Sequence, residues 1–94
     1  MTICCIVTYY DEPTSPAETA QTRYRYLIIG EVNVDAGHGM ASLMRLQAGV
    51  PEESGGRVSI NRGDASVLLE SALEFLDQRH PLMKRTAGHL RSDD

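Results

Sequence analysis

The chain has no Trp, one Phe and only two Cys, and those two, Cys4 and Cys5, are neighbours. Two cysteines exclude a disulfide-stapled mini-domain. In a strand, adjacent side chains point to opposite faces, so the pair cannot converge on one metal ion, and a bond between them would be strained. They read as two small buried hydrophobes, and free thiols suit a reducing cytoplasm. No apolar run approaches the roughly 18 residues of a membrane helix. The opening Met-Thr-Ile-Cys-Cys-Ile-Val has no basic region and is too short for a signal peptide. A cytoplasmic protein with no membrane partner is therefore expected. Positive charge is also scarce: nine Lys plus Arg stand against thirteen Asp plus Glu, a net charge of -4. That balance argues against a dedicated duplex-DNA binder.

What is present is an ordinary globular composition, 41% hydrophobic and 23% charged over 94 residues, which makes one small domain. Residues 2–10 are rich in Ile, Val, Thr, Tyr and Cys, and form a strand apolar enough to be covered on both faces. Residues 14–22 form a polar linker around Ser15-Pro16. A long second strand follows over 23–34. One of its faces carries Tyr24, Tyr26, Ile28, Gly30, Val32 and Val34. The other carries Arg23, Arg25, Leu27, Ile29, Glu31 and Asn33, apolar in its middle and polar at both ends. Gly30 marks a bulge or a close backbone approach. Residues 35–39 are a glycine-supported turn.

Residues 40–48 suit either a helix or a strand. The flanking turns favour a strand, with Met44, Leu46 and Ala48 on one face opposite Arg45 and Gln47. A turn over 51–56 and a short strand over 57–60 come next. Asn61 is the expected N-cap of a helix, with Asp64 as the capping-box acid. Ala65, Leu68, Leu69, Ala72, Leu73 and Leu76 then recur at helical spacing with Phe75 beside them, and Leu69 and Leu76 are expected in the core. Pro81 stops or kinks the helix. The fold class is α+β: a small antiparallel meander sheet of about four strands packed by one C-terminal amphipathic helix. Residues 1–81 make the domain, and 82–94 a partly mobile tail. One helix cannot cover both sheet faces, which implies a homodimer.

Three constellations carry possible chemistry. Val34-Asp35-Ala36-Gly37-His38-Gly39 resembles the strand-end segment that supplies the first zinc ligand in zinc-dependent N-acetylmuramoyl-L-alanine amidases. That resemblance covers six residues and implies His38 as a ligand, with Glu53 further on and His80 or His89 completing the set. Met40 stands where that family usually has another Gly. A zinc site needs three ligands and a rigid surround, and His38 on a glycine turn has no neighbouring ligand in sequence. Gly37-His38-Gly39 lacks the third glycine and the crossover unit of a phosphate-binding loop. Arg62-Gly63-Asp64 falls at a helix entrance, where capping explains it.

The third constellation is Arg23-Tyr24-Arg25-Tyr26. Single-strand-binding sheets combine cations that follow phosphates with aromatics that stack on bases. The strand-rich layout with one helix is similar to single-strand-binding domains of the transcriptional-coactivator and purine-rich-element-binding type. Alternation, however, sends these arginines and tyrosines to opposite faces. The leading expectation is a non-enzymatic interaction module, homodimeric, without cofactor, that binds a protein partner through surfaces including Arg23, Tyr24, Arg25 and Tyr26. Single-stranded nucleic-acid binding is the alternative, and a zinc hydrolase around His38 ranks third.

Overall fold

The computed structural model describes residues 1–11, 21–86 and 91–92. Four long strands run as an antiparallel meander: β1 (Thr2–Tyr10), β2 (Thr22–Asn33), β3 (His38–Gln47) and β4 (Val50–Ile60). The helix α1 (Ala65–Arg79) follows. Two short strands, β5 (Lys84–Arg85) and β6 (Arg91–Ser92), then return to β1. The sheet order is β4-β3-β2-β1-β5, with β6 also on β1. The expected α+β meander with one helix is what the chain forms, and residues 84–85 and 91–92 of the expected tail add to its sheet. The linker expected over 14–22 lies outside the described residues except for Gln21 and Thr22, as do 87–90 and 93–94. No helix among the described residues is long and apolar enough to cross a membrane.

The core lies between α1 and one sheet face. Ile3, Cys5, Val7 and Tyr9 of β1 point into it, as do Tyr26, Ile28 and Val32 of β2 and Ala41 and Leu43 of β3. Leu68, Ala72 and Leu76 of α1 close it. Leu69, expected in the core with Leu76, is only partly buried; Leu68 takes the central position. Gly30 proves to be a close approach and not a bulge, because the strand register runs unbroken through it. A Cβ there would lie 2.9 Å from Leu68 Cδ2 and 3.0 Å from Ile3 Cγ1.

Several local expectations are corrected. β1 is covered on one face only, and Ile6 on the other is 48% exposed. Val34 leaves the apolar face of β2 and sits exposed in the turn over 34–37. Residues 40–48 are strand up to Gln47, but the buried side chains are Ala41 and Leu43, opposite the row of Met44 and Leu46. The turn expected over 51–56 occurs at Ala48-Gly49, whose φ values of 53° and 80° are both positive. Two positive φ values match the twist of a two-residue hairpin, so β4 begins at Val50 and absorbs the Glu-, Ser- and Gly-rich stretch. Pro51 is tolerated because β4 is an edge strand. Asp64 and not Asn61 caps α1, its Oδ1 accepting from the Ser66 and Val67 amides at 2.9 and 3.3 Å.

Candidate functional site

The four residues Arg23, Tyr24, Arg25 and Tyr26 are divided between the two faces of β2. Tyr26 is in the core, and its hydroxyl lies 2.7 Å from His80 Nε2. Tyr24 stacks on the His80 ring at 4.6 Å and 23°, with the Arg45 guanidinium 5.7 Å from its own ring centroid. Arg23 pairs with Asp11 at 2.9 Å. Arg25 projects from the helix-free face beside Thr8 and Leu46.

His80 organises the tyrosines because it caps α1 just before Pro81, where the chain must leave the helix. Burial, then the Arg79 charge, pushes its pKa below the ordinary value. Burial pushes the Tyr26 phenol up. Both shifts are met when the hydroxyl donates to an unprotonated Nε2. Next to this pair, the Tyr9 hydroxyl donates to Asp77 Oδ1 at 2.6 Å, and Arg85 Nε donates to the same oxygen at 2.8 Å. Burial, then the Asp77 hydrogen bond, raises the Tyr9 pKa far above the ordinary phenol value. Arg79 also donates to the Gly55 carbonyl on β4. Each polar group of this cluster is engaged in tying the end of α1 and β5 to the sheet. It is a latch in form, and Asp77 and Arg85 were not visible as partners in the sequence.

His38 lies at the other end of the molecule. It pairs with Asn33, is exposed, and lines a shallow concavity with Glu31, Asn33, Met40, Ser59 and Ile60. Glu53 pairs with Arg45 at 3.3 Å, seven residues along β3 from His38 and so roughly 23 Å away. His80 belongs to the tyrosine cluster at that far end, and His89 lies outside the described residues. The resemblance to a zinc-ligand segment therefore brings no second ligand to His38. Among the described residues no group of three His, Cys, Asp or Glu is placed to hold a metal ion.

The remaining surface of note is the helix-free sheet face. The register places Ile6, Leu27 and Met44 in one row across β1, β2 and β3, and Cys4, Ile29 and Ser42 in the next. Ile6, Ile29 and Met40 are 48, 45 and 47% exposed, and Leu27 and Met44 are half-buried. The apolar middle of the second face of β2 was legible in the sequence. Its continuation through Ile6 and Met44 became visible only with the register. Comparison with protein-family profiles, known proteins and solved structures gives no match to this chain.

Proposed function

We propose that the protein is a non-enzymatic interaction module of the cytoplasm, which works as a homodimer and binds another protein. The observation that carries this is the apolar helix-free face centred on Ile6, Leu27, Ile29 and Met44. Contiguous exposed apolar surface on a soluble domain marks an interaction site. A four-stranded face with strands about 4.8 Å apart and about seven residues long measures roughly 20 by 20 Å. That footprint of about 400 Å² is half of the roughly 800 Å² per partner of a standard interface, so side chains around its margin must contribute to a stable dimer.

A second copy on this face leaves the outer edge of β4 for another protein chain, which would add to it as a strand. A catalytic role finds no support in the titratable cluster, because Asp77 and His80 are already engaged by Tyr9, Arg85, Tyr26 and Tyr24. Single-strand binding would need tyrosine rings presented to bases, whereas Tyr26 is buried and Tyr24 is covered by His80. Light scattering across micromolar concentrations tests the proposal. A particle of twice 10.4 kDa, reduced to monomer by Ile29→Asp, is the expected result. A 10.4 kDa particle throughout overturns it.

A further inference from the structure

We infer that the second copy seats on the helix-free face about a two-fold axis crossing β2 between Leu27 and Ile29, so that Arg25 of each copy meets Glu31 of the other. The inference rests on the homodimer reading above and adds to it the register and the recognition pair. The middle of the outward row of β2 reads Arg25, Leu27, Ile29, Glu31: a cation, two apolar side chains, an anion, with Arg23, already paired to Asp11, and Asn33 beyond it. The cross-strand neighbours of Arg25 are Thr8 and Leu46, neither of them an acid. Glu31 is held at the opposite end of the row, accepting from the Thr2 hydroxyl at 2.7 Å, with the Met1 amino group 3.9 Å away. Its side chain is still 69% exposed.

The apolar centre alone is smaller than a stable interface, so the rim bearing Arg25 and Glu31 must be included. Setting like charges against each other opposes association, and that requirement chooses between a two-fold axis along the strands and one across them. With the two-fold axis along the strands, Arg25 faces Arg25 and Glu31 faces Glu31. With the axis across the strands, each row is reversed over its mate. Leu27 then lies over Ile29, and Arg25 lies over Glu31 at both ends. Stacked sheets sit about 10 Å apart, a gap that Arg and Glu span when both reach inward. Exposed Arg57, two strands out on β4, stays at the margin of the face.

Charge reversal tests this. Dimer dissociation constants are measured by sedimentation for the wild type, Arg25→Glu, Glu31→Arg and the double reversal, with circular dichroism confirming the fold. Each single reversal should weaken the dimer by about tenfold or more, and the double reversal should return it to within a few-fold of wild type. Both side chains are exposed, so the fold should persist. If a reversal unfolds the chain, Arg25→Gln and Glu31→Gln with their double read the same coupling. A wild-type dimer indifferent to the single changes, or a double variant as weak as the two effects combined, overturns the register while leaving the homodimer standing. A wild type that never dimerises overturns the homodimer itself, and the register with it.

Discussion

Replacing Gly30 with Ala tests how α1 is seated on the sheet. The added methyl would lie 2.9 Å from Leu68 Cδ2, 3.0 Å from Ile3 Cγ1 and 3.2 Å from Ala41 Cβ. Ile3, Ala41 and Leu68 are all buried, so none of them can swing into open space. Overpacking of this kind costs about 1–3 kcal/mol. Alanine also restricts the unfolded chain, which returns about 0.4–1 kcal/mol. The midpoints of these ranges leave a net loss of about 1.3 kcal/mol. Leu68→Ala alone should lose about 2–5 kcal/mol by leaving a cavity. In the double variant the methyl added in place of the Gly30 hydrogen enters that cavity, so the combined loss should fall short of the sum by about 0.5–3 kcal/mol. Urea melts at one fixed protein concentration measure all three, since dimerisation makes stability concentration-dependent. A neutral Gly30→Ala, or strict additivity with Leu68→Ala, would refute the seating of the helix on this glycine.

Ala48→Asn should stabilise the protein by about 0.5–1 kcal/mol, because Asn-Gly suits the two positive φ values of the β3–β4 turn better than Ala-Gly; an unchanged or lower urea midpoint contradicts this. His80 has a folded pKa below its ordinary 6.5, so the unfolded chain takes up a proton that the folded chain resists. Its contribution is therefore complete above 6.5 and is lost as pH falls toward the folded value. The urea midpoint of the wild type should drop more steeply on acidification than that of His80→Asn, and parallel curves would show that the cluster does not hold a neutral imidazole. Single-stranded oligonucleotides at about 0.15 M salt, where the screening length is about 8 Å, should bind no tighter than roughly tens of micromolar. Submicromolar affinity by fluorescence anisotropy would restore a nucleic-acid function.

The helix was legible because Ala65, Leu68, Leu69, Ala72, Leu73 and Leu76 recur in the three-and-four spacing of a helix, which no strand alternation satisfies. The long second strand was legible because its two faces alternate cleanly, and its apolar second face pointed to a missing cover. Other features depend on tertiary geometry. The β3–β4 turn was missed because Ala48 carries no turn signal, whereas the Pro, Ser and Gly of 51–56 do; an edge position allows those residues to remain in a strand. Asp64 displaced Asn61 as the cap because both are good N-caps and only the chain path decides between them. The cluster of Tyr9, Tyr26, His80, Asp77 and Arg85 spans almost the whole chain. No local spacing records it. The short pairings of β5 and β6 with β1 are two residues each, too brief for any periodicity.

The central claim is that the helix-free sheet face is buried by a second copy, and Cys4 reports on it directly. Cys4 lies on that face and is half-buried, whereas Cys5 points into the core. The alkylation rate of the faster thiol, followed from nanomolar to high micromolar protein, should fall as the dimer forms. In Ile29→Asp it should stay fast at every concentration. A Cys4 rate independent of concentration, in samples that light scattering shows to be dimeric, would place the interface elsewhere and contradict the account.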